Sequence, residues 1–320
     1  MDYFLLMLIS LGVAAFGSLI GAGGGFLLMP LLLFLFEDKT FGGRVLGVTE
    51  LSFISLFAVL VNGLAATFNY ARMRRIDYKT GLVLAACTIP TAILARLLLD
   101  VLVDFDPEAF NPIFGLLLIA VGLFILWRVS RRGADDKPVT PKPHWSHRKV
   151  VDAFGYEFEY SFDLRYGVGA SLAEGFIASF FGIGGGILHV PVMTQLLHFP
   201  AHVASATSIL ILSVGAISGV MTDVVKYGGD VPIGLALVAG AGAFIGAQIG
   251  TRLNRKVSGQ RILGLLGLAL IIAGGKLLLD PFTKPADTPQ PPRQAQPVEE
   301  EPEEAAESPE PSEPVESAAP

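Results

Sequence analysis

The sequence predicts an all-α membrane protein that crosses the bilayer several times. Of its 320 residues, 52% are hydrophobic and only 16% are charged, whereas a soluble globular domain carries roughly 25% charged residues. The hydrophobic residues come in ten runs, and six of these reach or approach the roughly 17 to 25 residues that a helix needs to cross the hydrocarbon core. A glycine-rich motif that occurs twice indicates that the chain is built from two related halves.

The ten runs form two groups of five, separated by a longer polar loop. They lie at residues 3–20, 26–36, 45–70, 82–99 and 112–127, and at residues 166–181, 187–199, 203–225, 233–251 and 262–279. We therefore predict a first transmembrane repeat at residues 1–127, a joining loop at 128–165 and a second transmembrane repeat at 166–283. Within the loop, residues 150–164 alternate large apolar with polar side chains, which predicts a short hairpin.

The end of the sequence differs from the rest in composition. Residues 284–320 carry ten acids, two bases and ten of the 21 prolines. With almost no large apolar side chains, this segment cannot bury enough surface to offset the entropy lost on ordering. We predict a disordered acidic tail. Subtracting its net charge of −8 from the total of −6 leaves the preceding body at +2.

One motif occurs in both halves. Residues 21–25 (GAGGG) align with residues 182–186 (GIGGG), and the same offset of 161 places Pro30 on Pro191. Self-similarity of this kind predicts a duplicated architecture.

Beyond the motif, the alignment of the halves continues with a smaller offset. At an offset of 158, residues 45–51 lie on residues 203–209, so that Glu50 occupies the position of Ser208. Short loop deletions explain the change of offset between two copies of one ancestral half.

The basic residues predict the orientation of the two halves. Sixteen Lys and Arg residues fall in segments 71–80, 128–165 and 252–261, whereas the intervening loops hold three. Because loops rich in Lys and Arg stay in the cytoplasm, equivalent helices of the two halves run in opposite directions. This predicts an inverted-topology repeat of two five-segment halves, with the N-terminus and the C-terminal tail outside.

An inverted repeat needs an odd number of crossings in each half. Three long transmembrane helices supply it if the other two segments form an in-and-back hairpin. The runs at 26–36 and 187–199 have only 11 and 13 residues, which is short for a crossing. Each half is therefore predicted to contain a hairpin with the glycine motif at its tip, and such interrupted segments mark the substrate site of many transporters.

The two glycine motifs form the predicted substrate site. Glycine permits tight turns that a side chain forbids, and the helices that follow would point free N–H groups and positive dipole ends at the midplane, where anions bind. We predict that glycines and hydroxyls hold a small oxyanion there. The predicted residues are Gly23, Gly24, Gly25, Gly184, Gly185, Gly186, Thr49, Ser52, Ser205, Thr207 and Ser208. The alternative is that the glycines only permit close helix packing.

Ionisable residues inside the predicted spans are candidates for a proton relay or for gating, because charges at membrane depth are costly. They are Glu50, Glu174 and His189. A structural role is the alternative for each: Glu50 could reach the membrane interface, and His189 could be a buried, neutral, hydrogen-bonded histidine. Arg96 lies four residues before Asp100, and this spacing predicts an ion pair near one membrane face.

Several classes of function lack the residues that they require. The single cysteine, Cys87, excludes disulfides, iron–sulfur clusters and four-cysteine zinc sites. His198 and His202 are separated by Pro200, which breaks the helix that would bring them together on a metal. We predict no enzyme activity, no cofactor, no metal and no nucleic-acid partner. The expected partners are a small anionic substrate, the lipid bilayer and further copies of the chain in a homo-oligomer.

Three blocks of sequence resemble a known family. They are the duplicated G-x-G-G-G-[FI]-L-x-x-P motif, the A-x-x-T-S block at residues 204–208 and the block GAQIGTR at residues 246–252. Over about residues 4–279 the chain resembles the TauE/SafE sulfite exporter family of bacterial-type membrane transporters. The resemblance implies a multi-pass transporter in the plasma membrane, the bacterial inner membrane, that moves sulfite, sulfonates or related organic anions. The acidic tail lies outside the family's pattern.

The resemblance supplies the sulfur chemistry, whereas the residues themselves indicate only an anion. Because the sequence has no G-x-x-x-x-G-K-[ST] nucleotide-binding motif, a proton or the membrane potential is the expected driving force. Export of the anion by alternating access is the expected mechanism. Uptake of another small organic anion, such as a carboxylate, is the first alternative. A membrane scaffold that acts through its acidic tail is the second.

Overall fold

The computed structural model describes residues 2–36, 40–41, 44–105, 110–131, 145–184, 186–254 and 256–283, and this part of the chain is largely helical. Its α-helices are α1 (Asp2–Ile20), α2 (Gly25–Phe36), α3 (Val48–Arg72), α4 (Tyr78–Phe105), α5 (Phe110–Arg131), α6 (Leu164–Phe180), α7 (Gly186–Gln195), α8 (Ala201–Tyr227), α9 (Ile233–Asn254) and α10 (Gly259–Thr283). A 3₁₀ turn, Gly228–Asp230, follows α8. The strands are β1 (Thr40–Phe41), β2 (Arg44–Val45), β3 (Ser146–Val151) and β4 (Glu157–Phe162), which form two antiparallel hairpins.

Six of the described helices contain spans long and apolar enough to cross a membrane, so the chain is an all-α, multi-pass membrane protein. The spans are Tyr3–Ile20, Val48–Arg72, Tyr78–Val101, Ala201–Asp230, Ile233–Asn254 and Arg261–Leu279. This set differs from the predicted six in the first half. α1 is long enough to cross by itself, whereas the apolar part of α5, Pro112–Trp127, is shorter than a span. The acidic tail predicted at 284–320 lies outside the described residues.

Helices of one half pack mainly against helices of the other half. α1 and α3 both contact α9, while α6 and α8 both contact α4. In addition, α3 contacts α8, and α5 contacts α10. Glycines bring the last pair close together: a methyl group added to Gly115 would lie 2.8 Å from the carbonyl oxygen of Gly274. Small residues at such crossings permit close backbone approach in membrane bundles.

The short helix α2 lies inside this bundle. Its side chains Phe26 and Leu33 are buried, and they belong to a hydrophobic cluster that includes Phe114 of α5 and Phe181, the residue after α6. The rings of Phe114 and Phe181 stack with their centroids 4.6 Å apart. Because α2 is surrounded by apolar side chains, the glycine loop that precedes it is held deep within the protein.

The β3–β4 hairpin covers one end of α4, α7 and α8. The predicted hairpin is confirmed, but its first strand begins at Ser146, earlier than expected, and pairs with Phe162. The buried rings of Tyr160 and Phe162 contact Phe199, with centroids 4.2 and 5.0 Å away. Leu84 of α4 and Met193 of α7 belong to the same cluster. The hairpin is therefore packed onto the helices by a small core of its own.

Polar contacts also fix the hairpin to the segment between α3 and α4. Arg75 pairs with Asp152 at 2.9 Å, and the backbone N–H of Ala153 donates to the carbonyl oxygen of Met73. Burial alone would raise the pKa of the Asp152 carboxyl, but hydrogen bonds from the Tyr156 backbone and from the Arg75 guanidinium lower it below its ordinary value. The Asp152 carboxylate is thus held charged by the contacts that attach the hairpin.

Candidate functional site

Two glycine loops, residues 21–24 and 182–184, meet in the interior of the protein. All of these residues are buried. Gly24 has a φ of +86°, a conformation that favours glycine. A methyl group added to Gly186 would lie 2.6 Å from the carbonyl oxygen of Gly21. Because a side chain there would push the loops apart, glycine sets the distance between them.

Matching serines hold the two loops. The hydroxyl of Ser208 on α8 donates to the carbonyl oxygen of Gly21 at 2.7 Å. The hydroxyl of Ser55 on α3 donates to the carbonyl oxygen of Gly182 at 2.8 Å. Each loop is therefore fixed by a helix of the opposite half, and these two hydroxyl hydrogens are engaged with the backbone.

The same contacts correct the alignment of the two halves. Ser52 lies against the first glycine of the loop at 182–184, as Ser205 lies against the first glycine of the loop at 21–24. The motif S-x-x-S at Ser52 and Ser55 therefore matches the one at Ser205 and Ser208, with an offset of 153. This offset is five residues smaller than the 158 that placed Glu50 on Ser208, so the serine contacts favour a different alignment of the two halves.

Two of the predicted hydroxyls lie away from the glycine loops. Thr49, one helical turn before Ser52, donates to Asp100 at 3.3 Å. The Thr207 hydroxyl accepts from the backbone N–H of Asp77 at 3.0 Å. In this structure, Thr49 and Thr207 thus belong to polar clusters at opposite ends of α4, and only the serines of the predicted set touch the loops.

Glu50 has a capping role in this structure. Its carboxylate accepts from the backbone N–H of Gly47 at 3.0 Å, three residues earlier at the start of α3. A carboxylate in the first turn also suits the positive end of the helix dipole. Of the predicted glycines, Gly185 lies outside the described residues.

Glu174 and His189 form a buried pair between α6 and α7. The Glu174 carboxylate contacts Nδ1 of His189, and both side chains are almost completely buried. Nε2 of His189 lies 2.9 Å from the hydroxyl of Ser171. A carboxylate, an imidazole and a hydroxyl are therefore connected in one chain at the helix start.

A narrow cavity adjoins this pair and the second glycine loop. Its lining includes Thr88 of α4, Glu174, Ser179, Gly184, His189 and Gly215 of α8. It has room for about one water molecule. We call it the central cavity, because Thr88 and Gly215 lie near the middle of α4 and α8. In this structure it is too small for an oxyanion of several atoms.

Arg96 forms a buried ion pair, but with a different partner from the one predicted. It does not pair with Asp100; instead, its Nε and Nη2 donate to both carboxylate oxygens of Asp223 on α8, at 2.7 and 2.5 Å. Its Nη1 donates to the hydroxyl of Ser52 at 2.7 Å and to the carbonyl oxygen of Ser179 at 3.0 Å. Both charged side chains have no exposed surface. The ion pair therefore joins α4, α8, α3 and α6 within the protein.

Asp223 was missed because it lies 127 residues from Arg96, and no local spacing relates them. A signal was nevertheless present: each residue is a charge of opposite sign inside an otherwise apolar run. Because ionisable residues at membrane depth are usually paired and functional, two opposite charges inside apolar runs are a sequence signal for a buried ion pair.

The two ends of α4 carry different polar clusters. At the end that we call the Asp77 end, the Asp77 carboxylate accepts from Thr80 and from the hydroxyl of Tyr160. At the other end, which we call the Asp100 end, Asp100 pairs with Lys226 at 3.1 Å and accepts from Tyr227 at 2.8 Å. The central cavity lies between these clusters. Among the described residues, no group of three or more His, Cys, Asp or Glu side chains could hold a metal ion.

Six apolar helices long enough to cross a membrane, with interrupted glycine loops and paired ionisable residues between them, are typical of polytopic membrane transport proteins. Comparison with known families agrees with this assignment. The family described as "Sulfite exporter TauE/SafE" matches residues 6–277. The chain belongs to this family, as its motifs indicated.

Similar proteins carry transporter names. A "Probable membrane transporter protein YunE" from Bacillus subtilis is 29% identical over 286 residues, covering 88% of this chain and 98% of that protein. A "Probable membrane transporter protein" from Methanocaldococcus jannaschii, MJ0441, is 25% identical and covers 84% of this chain and 95% of its own length. No solved structure matches the chain. The family and these relatives identify a membrane transporter rather than an enzyme.

Proposed function

We propose that this transporter exports a small anion, sulfite or an organosulfonate, by alternating access across the plasma membrane. The observation that carries the proposal is the meeting of two glycine loops beside a cavity lined by buried polar groups. The family's description supplies the sulfur oxyanion. An inside-negative potential favours export by roughly 2.3 kcal/mol per charge and 100 mV.

The two halves are proposed to be inverted repeats of five segments. Two features support this arrangement. The contacts of α1 and α3 with α9 parallel those of α6 and α8 with α4, and the serine contacts of the two glycine loops match. Because the segments richest in Lys and Arg are expected in the cytoplasm, the Asp77 end is proposed to face inward and the N-terminus and acidic tail outward.

The substrate is proposed to bind where the glycine loops meet. The proposed ligands are the backbone of Gly23, Gly24, Gly25, Gly184, Gly185 and Gly186 with the hydroxyls of Ser52, Ser205 and Ser208. Thr49 and Thr207, which lie toward the two ends of α4, would contact the anion as it enters or leaves. In this closed arrangement, the Ser208 hydroxyl donates to the carbonyl oxygen of Gly21, the Ser205 hydroxyl donates to that of Ile20, and the Ser52 hydroxyl accepts from Arg96. Binding therefore requires that these hydroxyls rotate or that the loops separate.

Glu174 and His189 are proposed to carry a proton during transport. A carboxylate in contact with an imidazole can share a proton that either group gives up. The pair lines the central cavity, so substrate and proton would meet there. Glu50, which caps its own helix, is not part of this proposal.

The test is flux through purified protein in proteoliposomes. We expect radiolabelled sulfite and sulfoacetate to move faster than two comparison compounds: taurine, which has a sulfonate but no net charge, and acetate, which is an anion without sulfur. Export of the anion should become faster when the membrane potential on the side that contains the anion is made more negative. Ser205→Ala, which removes a hydroxyl beside the loop at 21–24, should reduce the flux without abolishing expression.

A matched variant addresses the proton. Glu174→Gln keeps the shape of the side chain and removes the charge, so sulfite flux should persist under a membrane potential but lose its response to a pH gradient. If wild-type protein moves none of the four compounds, or if it moves acetate alone, the sulfur-anion proposal is wrong. An unaltered pH-gradient response in Glu174→Gln would exclude the proton role only.

A further inference from the structure

The buried Arg96–Asp223 pair lies between the central cavity and the Asp100 end. Thr88 on α4 lines the cavity, and Arg96 follows eight residues later, about 12 Å along the helix. Asp223 likewise follows the cavity-lining Gly215 on α8 by eight residues. The Arg96 guanidinium also bonds to the backbone of Ser179, which itself lines the cavity. The ion pair therefore lies about two helical turns from the cavity, on the side of the Asp100 end.

The guanidinium of Arg96 is positioned to bind an oxyanion. Its Nε and Nη2 donate to the two carboxylate oxygens of Asp223, and its Nη1 donates to the hydroxyl of Ser52 beside the glycine loop. Sulfite, sulfonates and carboxylates present pairs of oxygens of similar geometry, which suit the planar donor fork of arginine. Asp223 thus occupies the place that an oxyanion would take, and it lies at the edge of the proposed substrate site.

We propose that Arg96 binds the oxyanion substrate, and that Asp223 is an internal competitor whose pairing with Arg96 closes the cavity at the Asp100 end. The substrate takes the place of the Asp223 carboxylate, which releases α8 from α4. This inference rests on the proposed function, because it assumes that an anion travels through the cavity. Arg96 would supply the positive charge that the glycine loops lack. Its pairing with Asp223 would keep the closed state stable when no substrate is bound.

The surroundings of Asp223 can accommodate its displacement. Besides Arg96, the charged groups that act on Asp223 are Lys226 and Asp100. Lys226 lies one helical turn further along α8, and its ammonium bonds to the carbonyl oxygens of Arg96 and Leu97. A displaced carboxylate would therefore find a second cation close by, and movement of Lys226 would loosen the contact with α4 at the same time.

Opposite effects of two substitutions distinguish this role from a structural one. Arg96→Lys keeps a positive charge but loses the fork, so it should raise the KM for sulfite by about tenfold or more, equivalent to one lost charge-assisted hydrogen bond. Asp223→Asn removes the competitor, so it should lower the KM below that of wild type. It should also enlarge the rise in melting temperature that sulfite causes in detergent, because the anion then neutralises a buried, unpaired arginine.

Asp152→Asn is the matched control, since it breaks another buried Arg–Asp pair, with Arg75, at the Asp77 end. It should lower stability and leave the KM unchanged. If Arg96→Lys and Asp223→Asn both leave the KM unchanged, or both change it in the same direction, the pair is structural and the inference is wrong.

The inference and the proposed function can fail separately. If wild-type protein moves no sulfur anion, but sulfite raises its melting temperature and Arg96→Lys abolishes that rise, the export function fails and the anion site stands. If flux is present and neither the KM nor the melting response depends on Arg96, the transporter proposal stands and the arginine site is excluded.

Discussion

At the residue scale, the interior depends on positions where backbone approaches backbone. Gly24 combines a left-handed conformation with a close neighbour: an added methyl group would lie 2.8 Å from the carbonyl oxygen of Val13. Gly12, on the same helix as Val13, has no atom within 4 Å of such a methyl group. Position 24 therefore requires glycine, whereas position 12 has room for a side chain.

We expect Gly24→Ala to destabilise the protein by about 1–3 kcal/mol, the cost of a strained left-handed residue, with a further steric cost from the Val13 carbonyl. Gly12→Ala should instead stabilise it by roughly 0.5–1 kcal/mol, because alanine restricts the unfolded chain in a helix that has room for it. Thermal unfolding in detergent measures both. Equal effects of the two substitutions would mean that the loop does not need glycine at position 24.

At the element scale, the β3–β4 hairpin and the segment between α3 and α4 form one unit. Burial raises the pKa of the Tyr160 hydroxyl, and the adjacent Asp77 carboxylate raises it further, so the phenol remains a donor to Asp77. On the exposed side, hydrogen bonds from Lys149 to Glu157 and Glu159 raise the pKa of the lysine. The buried face of the hairpin therefore carries a phenol–carboxylate hydrogen bond, and its exposed face carries lysine–glutamate ion pairs.

Asp152→Asn tests how firmly this unit is attached. Because it leaves Arg75 without its buried partner, we expect a loss of about 3 kcal/mol at pH 7. The folded-state pKa of Asp152 lies below its ordinary value, so the stabilisation is present above about pH 4, the unfolded pKa, and is lost as the pH falls through the folded pKa. The difference between wild type and variant should therefore shrink in acid, and a difference that stays constant with pH would contradict the assignment.

At the scale of the whole molecule, hydrophobic runs and glycine motifs predicted the helical membrane fold and where the polypeptide turns inside it. These features are local, since a span needs only a length of apolar sequence. The partners of Arg96 and Ser55 could not be predicted in the same way, because these partners, Asp223 and Gly182, belong to the other half of the chain. Thr49 and Thr207 were expected at the loops because the sequence does not show which side of a helix faces a loop. The packed structure directs them to Asp100 and Asp77 instead.

The central cavity is closed at both ends of α4. The Arg96–Asp223 pair lies toward the Asp100 end, and the contacts of Asp77 with Thr207 and Tyr160 lie at the Asp77 end. A transporter with two barriers opens one at a time, which is alternating access, whereas a channel opens both. The proposed transport therefore requires that the cavity is exposed to the two sides of the membrane in turn.

Side-specific labelling of the cavity measures this directly. Ala178 is buried and lines the cavity, so a cysteine placed there, in a Cys87→Ser background, reports access when a membrane-impermeant maleimide is added to either side of proteoliposomes. Alternating access predicts labelling from one side at a time, with sulfite shifting the reactive side. Simultaneous labelling from both sides, or labelling that sulfite does not change while flux continues, would contradict it.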